Sequence, residues 1–191
     1  VVNKLDKKVL INIIKILGDE KDGKAIANKI IKNRNIKPIE TAHELTKIIH
    51  AAKKIHKNYK KNPATKTFQA IRIYVNKEVT ELISGLISAT NLLTNGGILI
   101  VVSFHSIEDK IVKNFFKLYS DIRNNPSRYL PLNKKIFGLF KTLSKKPLIP
   151  SPEEINFNIR SRSAKLRYAV RSGNQFFFPE EFNNKFINYF E

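Results

Sequence analysis

Ser103, His105, Ser106, Glu108 and Asp109 gather two hydroxyls, an imidazole and two carboxylates within residues 103–109. Groups of this kind can hold a ligand by hydrogen bonds, align it and accept a proton. Ser103, His105 and Ser106 are therefore the candidate catalytic residues. Imidazole is the one side chain among them whose ordinary range spans neutrality, which makes His105 the group of this set suited to accepting a proton. Ser106 also reads as the N-cap of a following helix, and Glu108 and Asp109 fall in its first turn, where the helix dipole alone favours acids. No Gly-x-Ser-x-Gly elbow surrounds Ser103, which sets hydrolase chemistry aside. A second set, Asn158, Arg160, Ser161, Arg162, Ser163, Lys165 and Arg167, combines cations for phosphates with planar guanidinium groups that stack on bases, and is assigned to RNA. Gln69, Arg72 and Asn76 share one stripe of a helix, read either as a solvated face or as a contact to cofactor or RNA. His43, His50 and His56 have no metal-ligand spacing with acids, so no metal is expected.

Positioning these groups requires a sheet. Ile98 to Phe104 is an apolar run interrupted by Ser103 alone, which predicts a strand buried on both faces in the middle of a parallel sheet. The first polar cluster then lies at the strand's carboxyl end, where open α/β sheets bind ligands. A helix is predicted before it, in one piece from Thr67 to about Leu93, ended by Asn95-Gly96-Gly97. Another follows, opened by Ser106-Ile-Glu-Asp109 and burying Ile107, Ile111, Val112, Phe115 and Phe116. Residues 139–149 contain a further strand, and Ser151-Pro-Glu-Glu154 starts a helix with Ser as cap and Pro at the first position. Lys165 to Val170 alternates Leu166, Tyr168 and Val170 with basic residues, a strand with one wet face. Upstream, residues 1–62 carry only helical patterns: Leu5–Leu17 stopped by Gly18, Ala25–Ile31, and a helix opened by the capping box Thr41-Ala-His-Glu44. Residues 57–66 read as a basic linker, and 120–138 as irregular.

The chain has 191 residues, 42% of them hydrophobic, and no stretch near the roughly 20 apolar residues of a membrane span. Cysteine is absent, which excludes disulfides and thiolate metal sites and makes a reducing cytoplasm the simplest setting. The net charge of +19 favours a polyanionic partner. Lysine is scattered throughout, whereas Arg160, Arg162, Arg167 and Arg171 crowd together, so the arginines are the more telling signal for nucleic acid. The chain begins Val1-Val2-Asn3 and contains no methionine, and it is read as a fragment or a processed product.

Three segments in series, residues 62–76 (Asn-Pro-Ala-Thr-Lys-Thr-Phe-Gln-Ala-Ile-Arg-Ile-Tyr-Val-Asn), 96–109 (Gly-Gly-Ile-Leu-Ile-Val-Val-Ser-Phe-His-Ser-Ile-Glu-Asp) and 158–167 (Asn-Ile-Arg-Ser-Arg-Ser-Ala-Lys-Leu-Arg), resemble the RsmH (MraW) family. Those are S-adenosylmethionine-dependent methyltransferases that modify N4 of a cytidine in 16S ribosomal RNA. Asn62 stands where the family has His, and Ile159 where it has Pro. The resemblance implies an α/β fold: part of a Rossmann-like class I methyltransferase sheet (63–191) preceded by an inserted all-helical subdomain (1–62). It also implies S-adenosylmethionine as cofactor, 16S rRNA or the small ribosomal subunit as partner, and for His105 a role first in binding the base and second in accepting its proton. The family's Gly-rich cofactor loop has no counterpart among the seven glycines here, so the cofactor half is expected to be missing and the chain alone inactive. A non-catalytic, basic RNA-binding or ribosome-associated protein is the alternative. A helical DNA-binding domain in 1–62 lacks a recognition-helix turn.

Overall fold

The computed structural model describes residues 1–53, 62–120, 138–142, 146–178 and the side chains of Phe182 and Phe186. Half of the expected basic linker (57–61) and almost all of the expected irregular stretch fall outside these residues, and the described end of the linker, Thr65 and Lys66, is helical. Two compact units divide the chain, Val1–Glu78 and Val79–Glu191. No described helix is long and apolar enough to cross a membrane.

The first unit is helical: α1 (Lys7–Asn12) runs into a π-helical turn (Ile13–Leu17), followed by α2 (Gly23–Arg34), α3 (Ala42–Ala52) and α4 (Thr65–Val75). Leu10, Ile14, Ile26, Ile30, Leu45 and Ile49 recur at helical spacing and meet in one core. Thr41 caps α3 through the expected capping box with Glu44. Gly18 does more than stop a helix. A Cβ there would stand 2.6 Å from the Ile14 carbonyl oxygen and 2.7 Å from that of Lys66, so α4 approaches the turn along a path only glycine leaves open. The unit thus takes in α4, beyond residue 62. A buried ion pair, Lys53 Nζ to Glu20 Oε2 at 2.6 Å, is completed by the Pro63 carbonyl at 2.8 Å.

The single helix expected from Thr67 to Leu93 is two. α4 ends at Val75, Lys77 adopts a left-handed φ of 53°, and α5 begins at Glu78 (Glu78–Leu92). Apolar periodicity continues through the break and hides it. At the break the exposed Arg72 and Asn76 both donate to the Glu78 carboxylate.

In the second unit, β1 (Ile98–Ser103), β2 (Phe140–Thr142) and β3 (Lys165–Arg171) form a sheet in the order β1-β3-β2, with β3 antiparallel to both neighbours. The expectation for β1 needs correction. It pairs antiparallel with β3, its other edge has no partner among the described residues, and Ile98, Ile100 and Val102 are exposed on one face. An unbroken apolar run reports what a strand could bury, not what covers it. Register places Leu166, Tyr168 and Val170 beside those three residues, so the open face is apolar. The opposite face carries Lys165, Arg167, Ala169 and Arg171, and it is the better covered. Helix α6 (Ser106–Leu118) packs there and buries Ile107, Ile111, Val112, Phe115 and Phe116, as its spacing predicts. Phe115 and Phe116 meet Phe140 edge-on, and Phe115 also meets Phe182, giving an aromatic core. The mixed α/β character is as expected.

Candidate functional site

Antiparallel pairing of β1 with β3 decides where the candidate residues lie. Because Ser103 pairs with Lys165, the carboxyl end of β1 meets the segment that enters β3. That segment is α7 (Pro152–Phe157) followed by a 3₁₀ turn (Ile159–Ser163). Ser151 caps α7 by accepting from Glu154 N at 3.2 Å, with Pro152 at the first helical position, as the sequence predicts. Asn158 then folds the turn: its Oδ1 accepts from Arg160 N at 3.1 Å, and its carbonyl accepts from the Ser161 hydroxyl at 2.8 Å. Between the tip of β1 and this turn lies an open cavity of about 540 Å³, lined by Val102, Phe104, Glu154, Asn158, Arg160, Ser161 and Ala164.

None of the catalytic candidates Ser103, His105 and Ser106 lines this cavity, and the fold engages each differently. Ser103 is 3% exposed and donates its hydroxyl to the Lys165 carbonyl at 3.3 Å, closing the end of the β1–β3 ladder. His105, not Ser106, is the N-cap of α6. Its Nδ1 accepts from Glu108 N at 3.3 Å, and the Glu108 carboxylate accepts from the backbone N–H groups of Phe104 (2.8 Å) and His105 (3.2 Å). The sequence pattern points one residue late because serine is the commoner cap. A neutral ring with Nδ1 accepting carries its proton on Nε2, which lies 3.2 Å from Glu108 Oε1. Taking up another proton at Nδ1 would break the cap. Ser106 sits exposed at the first helical position.

Both acids of that turn are engaged. Burial pushes the Glu108 carboxyl up, but the His105 ring and the Phe104 amide outweigh it and hold it below its ordinary value. For Asp109 burial again opposes, while Arg167 at 2.7 Å and Lys165 at 3.0 Å hold the carboxyl below its ordinary value.

The arginine cluster divides accordingly. Arg171 is buried and donates to the carbonyls of Thr90, Leu139, Ser172 and Asn174. Arg167, with 10% of its side chain exposed, is paired to Asp109, and Lys165 shares that carboxylate. Arg160 and Arg162 are exposed, and neither guanidinium has a hydrogen bond or ion pair among the described residues. Ser163 is exposed and Ser161 buried. The strand's alternation of basic and apolar residues does not reveal that the basic side is the one a helix covers. In the first unit, Gln69 is half-buried, Arg72 grips Glu78 at 2.7 and 3.0 Å, and Asn76 donates to the same carboxylate at 3.2 Å.

Four lining residues, Val102, Phe104, Glu154 and Ala164, lie outside the sequence-based candidates, and two of them carry an aromatic ring or a carboxylate. Phe104 is 56% exposed beside the cavity; its position just past the last paired residue of an apolar strand is the signal that points to it. Glu154 reads in sequence only as a helix-start residue, yet its carboxylate has no ion pair among the described residues.

The described adjacent glycines, Gly96 and Gly97, lie at the opposite end of β1, and both are bonded to the Arg171 backbone. They form no cradle at the cavity, so the described residues do not by themselves fit a nucleoside-bearing methyl donor.

The family model described as the MraW methylase family matches residues 1–172. Among curated proteins, the chain is 48% identical to the Ribosomal RNA small subunit methyltransferase H of Ehrlichia canis (strain Jake) over 171 residues, 89% of this chain and 54% of that protein. It is 47% identical to the protein of the same name from Oenococcus oeni (strain ATCC BAA-331 / PSU-1), covering 87% of this chain and 54% of that protein. The chain spans about half the length of the curated relatives it matches.

Proposed function

The chain belongs to the MraW methylase family, and from that premise we propose that it supplies the nucleotide-gripping part of an rRNA methyltransferase acting on N4 of a cytidine in small-subunit RNA. The observation that carries this reading is the convergence of Phe104 with Asn158, Arg160 and Glu154 around one cavity. Cytosine presents an N4 amine that donates and N3 and O2 atoms that accept. Glu154 offers an acceptor for the amine, and Asn158 Nδ2 offers a donor for the ring edge. Phe104 offers a face for the base to stack on.

Methylation of N4 exchanges an amine proton for a methyl group, so the amine must be held, aligned and relieved of a proton. The methyl donor, S-adenosylmethionine in this reading, supplies the electrophilic carbon. The described residues do not form its cradle. What the chain's own groups do is bind and orient the base and receive the proton, for which the Glu154 carboxylate is the candidate. His105 caps α6 and sets the exit of the chain from β1. Arg160 and Arg162 hold the flanking phosphates.

Small ribosomal subunits incubated with the full coding-sequence product and labelled S-adenosylmethionine should yield N4-methylcytidine on nucleoside mass spectrometry. A label on another atom, or none, defeats the cytosine-N4 reading. RNA binding that persists without any methyl transfer favours the non-catalytic alternative.

A further inference from the structure

Resting on the RNA reading above, we infer that Phe157 is a stacking platform for an unpaired base next to the target, so that the surface takes single-stranded rather than duplex RNA. Phe157 is 94% exposed, the most exposed large apolar side chain among the described residues. It ends α7, a helix that buries none of its residues. Nothing in the fold of this helix uses the ring: the cap is Ser151, the first position is Pro152, and the turn beyond is built by Asn158.

Charge complementarity identifies the occupant. The ring leads directly into Asn158, Ile159, Arg160 and Arg162, all exposed, and the two guanidinium groups have no acidic partner among the described residues. Aromatic faces interleaved with unpaired cations suit a nucleic acid strand, whose bases stack while its phosphates meet the cations. A duplex keeps its base faces inside the stack and would leave the ring unused. Phe104 at the cavity and Phe157 at the far end of α7 then contact two different bases of one strand.

The chain contains no tryptophan, which makes Phe157→Trp a single-indole reporter. Binding of a short fluorescein-labelled pyrimidine-rich RNA is measured by anisotropy for the parent chain, Phe157→Ala, Phe157→Trp and the double variant Arg160→Ala plus Arg162→Ala. Phe157→Ala should weaken single-strand binding by about 5- to 150-fold, the range of one base–aromatic stack, and leave the salt slope unchanged. Phe157→Trp should bind as the parent does and lose emission on adding RNA. The double arginine variant should lower the salt slope instead. Unchanged affinity in Phe157→Ala with an unquenched indole, while the arginine variant still weakens binding, overturns the stacking role and leaves the RNA reading standing. Equal affinity for a duplex of the same sequence also overturns it. A sedimentation change in Phe157→Ala without a change in RNA affinity assigns the ring to a protein contact instead. No RNA binding by the parent overturns the RNA reading itself.

Discussion

Asp109 and Arg167 lie 2.7 Å apart, a carboxylate in the first turn of α6 against a guanidinium on the covered face of β3. The contact fastens the helix that leaves β1 to the strand that returns beside it, and so holds the two sides of the cavity in register.

Removing the acid leaves a mostly buried guanidinium with only carbonyl or water partners. Asp109→Ala should therefore cost about 1–3 kcal/mol in urea unfolding. A cycle with Arg167→Ala should return a coupling energy of about 0.5–3 kcal/mol. Additive single effects would mean the pair is a bystander. The Asp109 and Glu108 carboxyls are both depressed in the fold, so the stability they add is full above the ordinary carboxylate range. It is lost as pH falls through their lower folded values. Asp109→Asn should flatten the decline in stability measured below about pH 5.

The cap on α6 separates structure from catalysis at His105. His105→Ala removes the acceptor for Glu108 N and should destabilise by about 1 kcal/mol. Asparagine can accept the same bond, so His105→Asn should recover most of that loss and keep RNA affinity. Should His105→Asn be as stable as the parent yet abolish methyl transfer in the full protein, the ring has a chemical role beyond the cap.

Glu154 and Phe104 face the cavity without supporting the core. Glu154→Gln keeps an acceptor but no basic carboxylate, so methyl transfer should fall by about 100-fold or more while RNA affinity holds. Phe104→Ala should instead weaken RNA binding by about 5- to 150-fold and change stability by no more than about 0.5 kcal/mol. A core-like loss of stability in Phe104→Ala would show that the ring supports the fold.

Two glycines should respond with opposite signs. A methyl group at Gly18 would meet the backbone oxygens of Ile14 and Lys66, neither of which can turn aside. Gly18→Ala should lower stability by about 1–3 kcal/mol. Gly85 lies within α5, and a methyl group there would meet nothing within 4 Å. Gly85→Ala should raise stability by about 0.4–1 kcal/mol. Thermal unfolding of the two variants checks both signs at once.

Local chemistry is legible in the chain itself. Helix periodicity places the buried side of α6 residue by residue, and short-range hydrogen bonding places the caps at Thr41 and Ser151. The motif segments point to the family, and the order of strand, polar tip and arginine-serine turn points to the site. These signals survive in sequence because each depends on residues within a turn or two of one another.

Long-range pairing decides the rest. Arg160 and Arg167 are the same residue type in the same cluster, yet one faces solvent and the other is tied to Asp109. Residue type sets what a side chain is able to bond, but α6 lying over one face of β3 determines which partner it meets. The same packing makes Ser103 a ladder stitch, turns Arg171 onto four carbonyls, and leaves the apolar side of β1 open. A strand's two faces read alike until something is laid against one of them, and that choice is made by contacts between segments far apart in the chain.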